Sequence, residues 1–211
     1  MKVTDKITIT NEDNMKLMSR YEDNYFDLAI VDPPYRNTNE NAPTKDMRNN
    51  RFVKGQGLGS MPSFEYFTEL HRVSKNQIIW GANNFQLPQF KGFVVWKKKT
   101  ISEVFTMSMC EIASISEKLG TVSKWIEIAP QGTPQDPRIH PTQKPLKLYD
   151  FLLKHYAKEG DKILDTHLGS GSIAIACHNR GFDLTACELD KEYYEASIKR
   201  INQQIAQQRL F

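Results

Sequence analysis

Four consecutive apolar residues, Leu28-Ala29-Ile30-Val31, are stopped by Asp32-Pro33-Pro34-Tyr35. A strand that is apolar at every position has no polar face to give to water. It therefore belongs in the middle of a mostly parallel sheet covered on both sides. The two prolines lack N–H donors and hold φ near −65°, so the turn neither extends the ladder nor opens as an ordinary helix. Their carbonyls stay free beside one carboxylate and one aromatic face, a set that suits a flat, hydrogen-donating amine. On the tetrapeptide alone, a strand-ending turn with a solvated Asp32 and a half-buried Tyr35 explains the residues equally well.

Other segments repeat the strand-helix alternation. Ile7 to Thr10, Gln77 to Trp80, Phe93 to Trp96, Glu111 to Ile115, Lys162 to Asp165 and Asp183 to Glu188 read as strands. Helices are predicted over Met15 to Arg20, Ser63 to Ser74, from Pro145 to Gly160, over Ser172 to Arg180, and from Asp190 onward. The pattern is that of a single α/β domain over residues 1–211, with no internal repeat. Residues 36–62 lose all apolar periodicity and carry five basic and two acidic residues. A segment of that length without structure of its own reads as a flexible functional loop.

Two further constellations carry chemistry. Asp165-Thr166-His167-Leu168-Gly169-Ser170-Gly171-Ser172 joins a strand to a helix, and the next strand ends in Glu188. Glycines spaced by one residue let backbone approach a ligand, and an acid about twenty residues later accepts both hydroxyls of a ribose. The third glycine of a dinucleotide fingerprint is missing, since Ile173-Ala174 follow. A phosphate-free adenosine ligand is expected, and S-adenosylmethionine fits. A tight turn with a solvated Glu188 is the plainer alternative. His140-Pro141-Thr142-Gln143-Lys144-Pro145 precedes a helix start, where donors and unpaired N–H groups suit a carboxylate such as the cofactor's methionine end. Simple capping of the helix explains it too.

Three cysteines without a C-x-x-C pair suggest neither a disulfide framework nor a zinc site, and they read as reduced residues near the core of a cytoplasmic protein. No metal site is expected. No apolar stretch reaches the length of a membrane span, and the net charge of +3 says little about partners.

Taken in order, these motifs resemble the permuted β-group of amino-methylating DNA methyltransferases, which modify adenine N6 or cytosine N4. Asp32-Pro33-Pro34-Tyr35 comes first, then His140 to Pro145, then Asp165 to Ser172, then Glu188, as in that group. Asn11-Glu12-Asp13 and Trp80-Gly81-Ala82-Asn83 also resemble its strand-end segments, so the similarity spans nearly the whole chain. Thr166-His167 stands where the family has Pro-Phe, and Glu12 where it has Gly.

The resemblance implies a single Rossmann-like methyltransferase domain, with a mostly parallel seven-stranded sheet and one antiparallel strand in circularly permuted order. It implies a catalytic turn of Asp32, Pro33, Pro34 and Tyr35. Asp32 and the Pro33 carbonyl would hold the amine of a flipped base and Tyr35 would stack on it. The cofactor would lie on Asp13, Asp32, His140, Thr142, Gln143, Lys144, Asp165, His167, Leu168, Gly169, Ser170, Gly171, Ser172 and Glu188. Double-stranded DNA would be met by Arg36, Arg48, Arg51 and Lys54 of the 36–62 loop and by Lys97, Lys98 and Lys99, with 116–139 as a short target-recognition segment.

Adenine is the favoured base, because Asp opens the turn in adenine-directed members. Cytosine N4, RNA, a protein amide, or a non-catalytic nucleic-acid-binding subunit are the other readings. A homodimer and a restriction endonuclease are partners the resemblance allows.

Overall fold

The computed structural model describes residues 1–35, 44–46, 51–53, 60–130 and 136–208. Its elements in chain order are β1 (Ile7–Asn11), α1 (Asn14–Met18), β2 (Leu28–Val31), β3 (Thr44–Asp46), β4 (Arg51–Val53), α2 (Phe64–Val73), β5 (Gln77–Trp80), β6 (Gly92–Lys98), β7 (Cys110–Ile115), β8 (Lys124–Ile128), α3 (Leu146–Tyr156), β9 (Lys162–Asp165), α4 (Ser172–Arg180), β10 (Asp183–Glu188) and α5 (Lys191–Gln208).

Eight strands form one sheet in the order β1-β10-β9-β2-β5-β7-β6-β8. Only β7 runs against its neighbours, pairing antiparallel with β5 and β6. The α/β class and the single antiparallel strand agree with the sequence reading. The sheet has one strand more than the expected seven. The addition is β8, which pairs parallel with β6 at the sheet edge and lies inside the 116–139 segment. Its alternate exposure is that of a one-sided edge strand, which lacks the apolar run of a central one. Residues 44–46 and 51–53 of the predicted structureless loop pair as two antiparallel strands.

Central strands β2 and β5 are buried at all four positions, as their unbroken apolar or near-apolar runs require. Helices cover both faces, and two clusters of buried residues result. Trp80, Leu148 and Ile163 mark the first, and Phe26, Leu70 and Leu164 the second. Of the cysteines, Cys177 and Cys187 are buried but Cys110 is exposed at the start of β7.

The sheet order places a topological switch between β9 and β2. From β9 the chain crosses through α4 to β10 on one side, whereas from β2 it crosses through α2 to β5 on the other. Adjacent parallel strands whose crossovers part in opposite directions leave a crevice at their carboxyl ends, where ligands of such sheets bind. Asp165 ends β9, and Asp32 follows β2 directly. No helix among the described residues is long and apolar enough to cross a membrane.

Candidate active site

The crevice is built from two loops that the switch brings side by side. On the β2 side, Asp32 and Tyr35 fold onto each other, and the Tyr35 hydroxyl donates to Asp32 Oδ1 at 2.6 Å. Gly81, left-handed at φ +68, lies against the Tyr35 ring, and an added Cβ would stand 2.1 Å from Cε1. Only glycine lets the ring sit there. Phe85 meets the ring edge-on, with centroids 6.2 Å apart.

Lys144 closes the cluster from the loop before α3. Its buried ammonium pairs with Asp32 Oδ2 at 2.5 Å and Glu111 Oε2 at 3.1 Å, and donates to the Tyr35 oxygen at 3.2 Å. Glu111 takes a second cation, Lys98 Nζ, at 2.7 Å on Oε1. Two lysines and two carboxylates thus neutralise each other in a mostly buried group. Burial works to raise the Glu111 pKa, but Lys144 and Lys98 outweigh it and hold it at about 2. Asp32 moves the other way, raised by burial and by the Glu111 charge against the pull of Lys144. Lys144 stays charged, since both carboxylates outweigh its desolvation. Burial and the neighbouring acids push the Tyr35 phenol up, so it keeps its proton.

On the β9 side, Gly169 and Gly171 both take positive φ, and Gly171 caps α4. Glu188 braces the turn: Gly169 N–H donates to Oε2 at 2.8 Å and Asp190 N–H to Oε1 at 3.0 Å. The Leu189 N–H is drawn to the same carboxylate, which still has capacity for a further donor such as a ribose hydroxyl. The His140 ring lies about 3.7 Å from where a Gly169 Cβ would be and 4.2 Å, centroid to centroid, from the Tyr193 ring. Burial lowers the pKa of both His140 and His167 to about 4, leaving each ring neutral. Buried Asp165 accepts the His167 N–H at 2.9 Å, and burial raises its pKa to about 8. A glycine cradle with an acid at its rim and neutral rings beside it fits an uncharged adenosine moiety better than a phosphate.

Several expected ligand residues have other work. Asp13 is exposed and caps α1, accepting N–H bonds from Met15 and Lys16 on Oδ1. Gln143 turns inward to accept the Ile139 N–H at 2.9 Å. Ser172 donates to the Lys144 carbonyl at 2.8 Å and lies 3.3 Å from the Ser170 hydroxyl. Thr142 meets His140 Nδ1 through its N–H and hydroxyl. Leu168 is buried and ties the turn to β10 through its N–H and the Cys187 carbonyl. Pro33 is buried and Pro34 half-buried.

The triple lysine divides as a strand must, with alternate side chains on opposite faces. Lys98, expected to meet DNA, is 8% exposed and pairs with Glu111 inside the cluster. Lys97 and Lys99 are exposed, and Lys97 pairs with Glu127 at 3.3 Å. Arg36, Arg48 and Lys54 lie outside the described residues. Arg51 falls in β4, and its side chain is likewise outside them.

Sequence reasoning missed Glu111, the inward role of Lys98, and Arg200. From α5, Arg200 reaches Asp136 with two bonds of 2.7 Å and the Ser170 carbonyl with one of 2.7 Å, tying the glycine turn to the loop before His140. Tyr66 and Asn14 were also unforeseen. They hold Thr166 and His167, at 2.6 Å from the Thr166 hydroxyl and 3.2 Å from His167 Nε2. One usable signal existed: Lys98 is in phase with the buried Val94 and Trp96 of its strand.

Comparison with known proteins gives a consistent picture. A family profile described as DNA methylase matches residues 75–199. The type II methyltransferase M.HpaI of Haemophilus parainfluenzae is 21% identical over 225 residues, covering 89% of this chain and 72% of that protein. The type II methyltransferase M2.DpnII of Streptococcus pneumoniae is 37% identical over 62 residues, only 29% of this chain and 23% of that protein. Among solved structures, the M1.HpyAVI–SAM complex superposes with a TM-score of 0.62 at 18% identity, over 92% of this chain and 98% of that one. PvuII DNA methyltransferase, described as cytosine-N4-specific, gives 0.62 at 11% identity, over 95% and 91%. At such identities the structural likeness speaks to the fold.

Proposed function

This chain belongs to the DNA methylase family of N6/N4 methyltransferases, and from that premise we propose that it methylates the exocyclic N6 amine of a flipped adenine in double-stranded DNA. The observation that carries the reading is the Asp32–Tyr35 turn standing beside the Gly169–Gly171 cradle at the sheet's switch point. S-adenosylmethionine, the ligand in the M1.HpyAVI complex, supplies an electrophilic methyl group when bound. Gly169, Gly171 and Glu188 would take its adenosine, with His140 and His167 packing beside it.

The chain's own residues do the rest. An aromatic amine is a weak nucleophile because its lone pair is delocalised into the ring. It gains reactivity when its N–H groups are held and the positive charge growing on nitrogen is matched. Asp32 supplies that acceptor and that charge, and its burial prepares it to take the proton the nitrogen must lose. The Pro33 carbonyl takes the other N–H. Tyr35, backed by Gly81, offers its ring for stacking, a contact worth about 1–3 kcal/mol. Bases in a duplex are out of reach of such a pocket, so the target must be extruded.

The second reading is cytosine N4, which the likeness to the cytosine-N4-specific PvuII enzyme favours. Asp32 in the first position of the turn leans toward adenine by family resemblance. Residues 36–62 and 116–139 are assigned to target contacts, with a restriction endonuclease recognising the same site and a homodimer as the working unit. Incubation with methyl-labelled S-adenosylmethionine and mixed-sequence DNA, followed by nucleoside analysis, tests the proposal. Labelled N6-methyladenine is expected. Labelled N4-methylcytosine would replace the base assignment, and an unlabelled DNA with labelled RNA or no label at all would overturn the function.

A further inference from the structure

Both oxygens of Asp32 are engaged within the protein. Oδ1 accepts the Tyr35 hydroxyl at 2.6 Å, and Oδ2 pairs with the Lys144 ammonium at 2.5 Å. Each oxygen keeps a second lone pair, but an ammonium and a phenol already draw on the charge of this carboxylate, which makes it a weaker acceptor and base for a substrate amine. Whatever loosens that grip governs the reaction, and the loosening must leave neither a buried ammonium nor a buried phenol without a partner.

Glu111 stands where such an exchange would end. Its Oε2 lies 3.2 Å from the Tyr35 oxygen and 3.1 Å from Lys144 Nζ, so both groups that hold Asp32 already touch it. Tyr35 has a single proton to donate. Rotating the O–H from Asp32 to Glu111 moves the bond and leaves the ring where it is. Lys98 on Oε1 keeps Glu111 ionised and anchored on β7 during the exchange. Tyr149 and Asp165 complete the electrostatic surroundings of Asp32 from α3 and β9.

We propose that Glu111 is a positioning residue for methyl transfer: it takes over the Tyr35 hydroxyl and the Lys144 ammonium, releasing Asp32 to the substrate amine. The inference rests on the functional reading above and deepens it. No bond to Glu111 is made or broken other than hydrogen bonds, and the amine proton still leaves through Asp32. In the resting arrangement Lys144 is shared between two carboxylates. Neutralising Glu111 returns it wholly to Asp32, which then holds a proton less readily and is released less often.

The test compares the wild-type chain with Glu111→Gln and Glu111→Asp. Glu111→Gln is expected to lower kcat by about 10- to 100-fold with little change in the dissociation constant for S-adenosylmethionine. The acid limb of its pH–kcat profile moves to lower pH. Glu111→Asp keeps the charge and restores part of kcat. Carboxyl-carbon NMR titration of Asp32 reads the same exchange without turnover, and its midpoint falls in Glu111→Gln. A Glu111→Gln enzyme with wild-type kcat, or one whose acid limb and Asp32 midpoint both stay in place, would overturn the role. A wild-type chain that methylates nothing would instead defeat the functional reading, and the Asp32 titration would still decide whether Glu111 is coupled to it.

Discussion

The Tyr35 ring is held by a residue with no side chain at all. Gly81 follows the buried Trp80 at φ +68 and gives its N–H to the Ile112 carbonyl, so its position is set by two strands at once. Gly81→Ala adds a methyl 2.1 Å from Tyr35 Cε1 and places an L side chain in the left-handed region. The conformational part alone costs about 1–2 kcal/mol. The ring must swing away, and with it the hydroxyl on Asp32. Turnover is expected to fall by at least about 100-fold while cofactor affinity stays near the wild-type value. Steady-state kinetics with parallel calorimetric titration check this, and an unaltered kcat would show that Tyr35 does not depend on its seat. The sequence announces Tyr35 through its motif. It does not announce Glu111, whose partner Lys144 lies on a distant loop that only the folded sheet brings near.

At the scale of elements, β6 shows how a run of like charges is sorted by pleat. Lys97 stays exposed, as does Lys99 just past the strand, while Lys98 points inward to Glu111. Lys99→Ala is expected to leave stability unchanged and to reduce the slope of log affinity for DNA against log salt by about 1. Lys98→Ala should do the reverse, leaving the salt slope intact and destabilising the fold by about 1–3 kcal/mol as Glu111 loses a buried partner. Salt-series binding and urea unfolding distinguish the two, and equal salt slopes for both variants would return Lys98 to the DNA surface. Elements with local punctuation were readable from sequence. The runs of β2, β5 and β9, the glycine turn and α4 each carry their limits in a few adjacent residues. Strand β8 does not, because its Lys124-Trp125-Ile126-Glu127-Ile128 alternation becomes a strand only when β6 supplies a partner.

For the whole molecule, buried titratable groups couple stability to pH. Asp165 keeps its proton up to about pH 8 in the folded chain, against 3.8 when unfolded. The folded state thus binds more protons across that window. Asp165 contributes stability that is complete below about pH 4 and is lost as pH rises through 8. His140 and His167 act oppositely between about 4 and 6.5, since their folded pKa values are lowered. Between pH 6.5 and 8 the decline due to Asp165 stands clear. Asp165→Asn, which retains an oxygen for the His167 N–H, is expected to flatten it; parallel slopes of unfolding free energy against pH in both chains would refute that origin. The order of the strands has a different consequence. Strand β1 finds its partner β10 some 177 residues further along, and β2 is walled in by β9, whose Ile163 pairs with Leu28 some 135 residues away. Loops of that span close late, after local helices and hairpins have formed. During synthesis the Asp32 turn therefore emerges before β9 and stands beside an open sheet edge until that strand has been made. Its two half-sites thus mature together, when β9 docks on β2.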